Sequence, residues 1–266
     1  MKRIFSSLII IIMISVGFSL QSCQNEKKTE QKNLTETEIH KTEDSIKSAA
    51  EEKYGKSFQY TITIEEIDSL QFNAVKKKTV PKKKTPVKIT DITVAKKMLK
   101  GIVEFDEKIP EYPLVTNINF RNGKNNKGKL YYESEECIFK AYFPEEDILL
   151  CEGGHTSDVS FNLKNGNETE QTGNPDILVF SPKEHFRLNG HFGGQECSSY
   201  FIQRKINNEF IKVIQLDEEF EKLTKHWLCT VGESFWSDEN TLYLTETEFV
   251  EDGLKSRFFK VKILAK

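Results

Sequence analysis

An all-β fold, an antiparallel meander over residues 101–266, is the class this sequence predicts, and three observations predict it. Short β-branched or aromatic runs recur there at intervals of roughly 8 to 15 residues, each bounded by Gly, Pro, Asn or Asp. Phe, Tyr and Trp recur every few residues in this half, whereas residues 23–100 hold few of them, so the core belongs to the C-terminal part. The turn signals Asn165-Gly166, Asn207-Asn208 and Asp252-Gly253 are spaced by 42 and 45 residues. Four-stranded propeller blades give such a period. About 165 residues supply fewer blades than a closed propeller takes, so an antiparallel sandwich or a strongly curved sheet stands beside the blade reading.

The elements follow in order. Residues 23–55 are rich in Lys, Glu, Thr and Gln and read as a disordered polar tether or stalk, since they cannot bury enough apolar surface to offset their conformational entropy. Residues 56–100 read as a minor N-terminal α/β portion. Residues 58–64 alternate as a strand, and residues 92–100 form a short helix capped by Thr90-Asp91 and stopped by Gly101. Between them, residues 76–88 hold seven lysines with Pro81 and Pro86 and read as an extended loop: a solvated linker, or a contact for lipid headgroups, acidic polysaccharide or lipopolysaccharide phosphates. From 101 onward the strand candidates are residues 102–105, 130–132, 137–143, 148–151, 159–163, 177–180, 186–191, 200–206, 210–216, 235–236, 241–244 and 258–264. Pro144-Glu145-Glu146-Asp147 suits a hairpin loop. Residues 216–226 are the one helix candidate in this half, with Phe220 and Leu223 on its apolar face.

The N-terminus carries a different message. Lys2 and Arg3 precede residues 4–20, which are apolar or small throughout and carry no charge, the layout of a secretory signal. Seventeen such residues, interrupted by four serines, fall short of the 20 or so that a transmembrane helix takes. The run Leu20-Gln21-Ser22-Cys23 resembles the lipobox of bacterial lipoproteins. That resemblance implies cleavage after residue 22 and acylation of Cys23, which ties the chain to a lipid bilayer. Gln24, in place of the Asp that signals retention at the inner membrane, implies the outer membrane of the cell envelope. Each buried CH2 of an acyl chain contributes about 0.8 kcal/mol, so two or three chains hold a protein permanently. The resemblance covers residues 1–23 alone.

Removing Lys2 and Arg3 with the leader leaves 36 basic against 41 acidic residues, a net charge near −5 that excludes a general nucleic-acid binder. Cys137, Cys151, Cys197 and Cys229 remain, an even set that allows two disulfides in any of three connectivities once exported. Chemistry is harder to find. His155, His185 and His191 lie beside the glycine pairs Gly153-Gly154 and Gly193-Gly194 and are the candidates for a catalytic cleft. The spacings of Cys151 to His155, His185 to His191 to Cys197, and His226 to Cys229 match no standard zinc arrangement, so no metal is expected. The sequence holds no nucleophile elbow, Walker loop or dinucleotide fingerprint, and no cofactor is expected. Glu135-Glu136 and Glu145-Glu146 fall at turns, where solvation accounts for them. Trp227 is expected in the core and Trp236, beside a polar turn, at the surface. The sequence therefore favours a β-rich binding domain whose partner is a polysaccharide, lipopolysaccharide or an envelope protein. The alternative is an extracytoplasmic hydrolase with a His-lined cleft.

Overall fold

The structure is a computed structural model that describes residues 60–79, 84–106, 108, 113–126, 137–194, 197–250 and 253–265. The leader, Cys23, the tether, the strand candidate at 130–132 and residues 80–83 of the lysine-rich segment lie outside the described residues. Residues 54–266 form one compact unit.

The chain enters as β1 (Tyr60–Ile67), and Asp68 stops it. The Asp68 carboxylate accepts the Gln71 N–H at 2.7 Å, while the Asp68 N–H donates to Gln71 Oε1 at 3.3 Å. This capping box starts helix α1 (Ser69–Lys78), a helix the sequence reading misses because its apolar face is little more than Phe72 and Val75. Lys76, Lys77 and Lys78, read as loop, are its last turn, where they complement the helix dipole. Beyond the gap, Lys84 pairs with Glu145 and Lys88 with Asp176, and Ile89 exchanges two backbone hydrogen bonds with Tyr142. The described end of the lysine-rich segment is thus laid along the domain. Helix α2 (Ile92–Met98) is capped by Asp91, which accepts from Thr93 and Val94, and Gly101 at φ 79° follows it.

Thirteen strands form three antiparallel sheets among the described residues. The first contains β2 (Val103–Asp106), β3 (Leu114–Ile118), β4 (Ile138–Phe143), β5 (Ile148–Glu152) and β6 (Asp158–Asn162) in that order. A short helix α3 (Thr169–Thr172) and a 3-10 turn at Pro175–Ile177 lead to the second sheet. It runs in the order β10-β9-β8-β7, from β7 (Val179–Phe180), β8 (Phe186–Phe192), β9 (Ser198–Ile206) and β10 (Glu209–Gln215). Asn207 and Asn208, at φ 50° and 66°, make the two-residue turn that sets Ile206 opposite Glu209. Helix α4 (Leu216–Thr224) crosses to β11 (Val231–Trp236), β12 (Thr241–Val250) and β13 (Gly253–Ala265). The third sheet has the order β1-β13-β12-β11, with β1 paired to β13 from Tyr60 opposite Ala265 to Ile67 opposite Phe258.

Alternation along these strands sets the layers. Ile62, Trp236, Leu242, Leu244, Phe259 and Val261 of the third sheet share one core with Phe186, Leu188, Tyr200, Ile202 and Ile214 of the second. The fully buried Phe220 of α4 completes that core, while Leu223, expected beside it, is 48 % exposed. These two sheets are therefore a sandwich. On the outer face of the third sheet, Phe235, Tyr243 and Phe258 pack around Phe72 of α1. The first sheet covers one face with Ala95 and Leu99 of the α2 region and buries Ala141, Phe143, Ile148 and Leu150 on the other. The turns spaced by 42 and 45 residues fall at different places in their sheets: after β6, between β9 and β10, and between β12 and β13. The period is not a structural repeat, which disposes of the blade reading.

Candidate functional site

The sandwich is open along one side, where the edge strands β7 and β11 face each other. β7 is only two residues long because the capped 3-10 turn before it (Asn174 Oδ1 accepts the Asp176 N–H at 3.0 Å) and Ser181-Pro182 after it end the ladder. β11 slips register against β12 between Val231 and Ser234. At the slip, Gly232 passes so close to β12 that a Cβ there would lie 2.7 Å from Thr245 Oγ1. Two side chains tie the gap: the Trp236 indole N–H donates to the Val179 carbonyl at 2.9 Å, and the Val231 N–H donates to the Tyr200 hydroxyl at 3.0 Å.

A groove of about 490 Å³ lies along this gap. Leu178, Val179, Leu188, Val231 and Trp236 give it an apolar wall, and Tyr200 and Ser234 supply hydroxyls. The charges at its mouth already have partners. Lys76 of α1 pairs with Glu233 at 2.6 Å, and Asp176 pairs with Lys88. Polar and apolar surface line the site in similar measure. Sequence reading missed it, because β7 and β11 are 50 residues apart and each reads as an ordinary half-buried strand.

The candidate histidines are placed otherwise. His185 precedes β8 and His191 sits near its other end, about 20 Å apart at strand rise. His185 is 60 % exposed at the side chain, and its Nδ1 lies 3.5 Å from Glu239 Oε1. Glu239 clamps that turn by accepting from the Ser181 hydroxyl at 2.5 Å and from the Lys183 and His185 N–H groups. His191 is buried, with Nε2 3.3 Å from Glu170 Oε1, and the hydrogen bond between them holds the Glu170 carboxyl below the usual range. His155, at φ 56°, packs its turn against Gly194, so the two glycine turns do meet. With His185 at the opposite end of β8, the three histidines do not line one cleft, and the hydrolase reading loses its site. Among the described residues no three His, Cys, Asp or Glu side chains group to hold a metal ion.

Near His191 runs a buried polar seam joining the second sheet to the first. Arg187 Nε donates to Gln203 Oε1 at 2.6 Å and its Nη1 to Glu146 at 2.7 Å. Asn189 donates to the Thr172 carbonyl and to Gln203, and Gln203 to the Gln171 carbonyl. Asp158 accepts from Asn174 and from the Phe192 N–H. Glu146, read as a solvated turn residue, is the counter-ion of a buried arginine.

Two further expectations are reversed or divided. Trp236 is buried, 3 % exposed and stacked with Phe186 at 6.3 Å, because it falls on the core face of β11. Trp227 is 69 % exposed. Cys197 and Cys229 form a disulfide, whereas Cys137 and Cys151 are free, buried neighbours in the core of the first sheet. Among the described residues no helix is long and apolar enough to cross a membrane. No family model, curated protein or solved structure matches the chain.

Proposed function

We propose that this chain is a lipid-anchored protein of the bacterial outer membrane whose sandwich binds the apolar part of an envelope molecule. The groove between β7 and β11 carries the reading. Its volume, about 490 Å³, falls in the range of small-molecule sites, and it sets an apolar stripe from Val179 to Val231 beside hydroxyls and paired charges. The paired charges at its mouth ask for no counter-ion from the ligand. Of the partners considered, polysaccharide, lipopolysaccharide and envelope protein, this favours an amphiphile with an acyl chain, as in lipopolysaccharide. Burying hydrocarbon gains roughly 25 cal/mol per Å². Attachment rests on Lys2-Arg3, the apolar stretch over 4–20 and Leu20-Gln21-Ser22-Cys23, which support acylation of Cys23.

The test is titration of the 54–266 segment with a dansylated fatty acid. Saturable binding is expected, displaced by lipopolysaccharide. Ser234→Trp, which fills the groove from β11, should weaken it about tenfold, the loss of roughly 60 Å² of apolar contact. Binding that is absent, or equal in the two proteins, overturns the groove. Fatty-acid labelling of the full chain against its Cys23→Ala variant examines the anchor separately.

A further inference from the structure

Trp227 is a large aromatic side chain held open to solvent, and its surroundings hold it still. Helix α4 ends on Lys225 in the left-handed conformation, φ 63°, with its N–H on the Glu221 carbonyl. Two residues on, the Trp227 indole N–H donates to Glu221 Oε1 at 2.8 Å. The next residue, Leu228, is 2 % exposed in the main core, and Cys229 after it is bridged to Cys197. The indole is therefore fixed through its own N–H and through two anchored neighbours. Burial does not explain it, at 69 % exposure. With its N–H satisfied, what the side chain offers is its π surface, whose quadrupole is negative on the face.

We propose that Trp227 is a stacking platform for a pyranose ring of a glycan, a second site independent of the groove. Sugar C–H bonds turn their positive ends to the indole face. Glu221, bonded to the indole, and the exposed Lys225 and His226 just before it in the chain supply polar groups for hydroxyls. A membrane surface is the competing occupant, and charge decides against it. Along helix α4, which ends at the platform, Asp217, Glu218, Glu219 and Glu221 outnumber Lys222, and Lys225 follows, a balance that disfavours anionic headgroups.

The experiment uses the full-length chain in detergent, titrated with the tetrasaccharide of N-acetylglucosamine and with a neutral glucan tetrasaccharide. Acrylamide quenching of tryptophan emission is the readout, because Trp236 is buried and the quenchable signal belongs to Trp227. At least one tetrasaccharide should protect the indole. Because both variants lose the reporting indole, their binding is followed by isothermal titration calorimetry beside the wild type: Trp227→Ala should weaken it about tenfold and Trp227→Phe less, with the thermal midpoint unchanged. The proposal is overturned if neither tetrasaccharide protects, if Trp227→Ala binds as the wild type does, or if vesicles containing phosphatidylglycerol protect where the sugars do not.

Discussion

Arg187→Ala is expected to lower the unfolding free energy of the 54–266 segment by about 3–5 kcal/mol in urea denaturation. The Arg187 side chain is 4 % exposed, and Glu146, its ion partner, is 18 % exposed. Burial pulls the Arg187 pKa below its ordinary value even though Glu146 acts in the opposite direction. The guanidinium also lies over the Phe210 ring, 3.8 Å from its centroid. Truncation removes the charge and the stack together, strands the Glu146 carboxylate without its donor and leaves the Gln203 amide oxygen with Asn189 alone. Glu146→Ala should cost nearly as much, because the stranded charge is then the guanidinium. Arg187→Met combined with Glu146→Leu should recover most of the loss, since two apolar side chains of similar volume need no partner. The surface pair Lys222–Glu219 is the control, and Lys222→Ala should move stability by less than about 1 kcal/mol. If Arg187→Ala also stays under about 1 kcal/mol, the seam is hydrated and its polar groups find water when they lose each other.

Much of this architecture can be read from local signals. Strands β4, β5, β8, β9 and β10 alternate or run apolar between strong turn residues, and Asn207-Asn208 fixes a hairpin by its tolerance of positive φ. Asp91 and Gly101 bound α2 at the places the sequence marks. What escapes a local reading is set by partners distant in sequence. Nothing in residues 60–67 says that they complete a sheet with residues some 200 positions later, yet β1 pairs with β13 along its whole length. Helix α1 hides because Phe72 buries itself against Phe235 and Phe258, a contact no periodicity within the helix announces.

The candidate sites divide in the same way. A histidine-glycine pattern was visible, but strand length, not pattern, keeps His185 away from His191. The two tryptophans exchange places because neighbouring polarity is a poor guide to side-chain direction. Trp236 stands one residue before a polar turn but on the inward face of its strand. Trp227 sits in an apolar-looking run, His226-Trp227-Leu228-Cys229, from which Leu228 turns inward. The groove depends on where two sheets fail to close, a property of the packed pair and of neither strand.

Cys197→Ser with Cys229→Ser is expected to cost about 3–4 kcal/mol, the loop-closure entropy for cysteines 32 residues apart. The loop so closed contains β9, β10 and α4, and the bridge is reinforced by the Ser198 N–H donating to the Cys229 carbonyl. The cost should appear as a shift in the urea midpoint with a larger slope, because the reduced unfolded chain is more expanded. Thiol counting separates this bridge from the other pair. Burial, reinforced by the neighbouring Cys137, pushes the Cys151 thiol well above its ordinary pKa. Both cysteines are buried from reagent, so neither should react with iodoacetamide in the native 54–266 segment. In urea without reductant two thiols should react, and after reduction four. Four reactive thiols before reduction would mean that the bridge does not form. The exposed Trp227 would then lose one of its two anchored neighbours, leaving Leu228 and the indole bond to Glu221 to hold the platform.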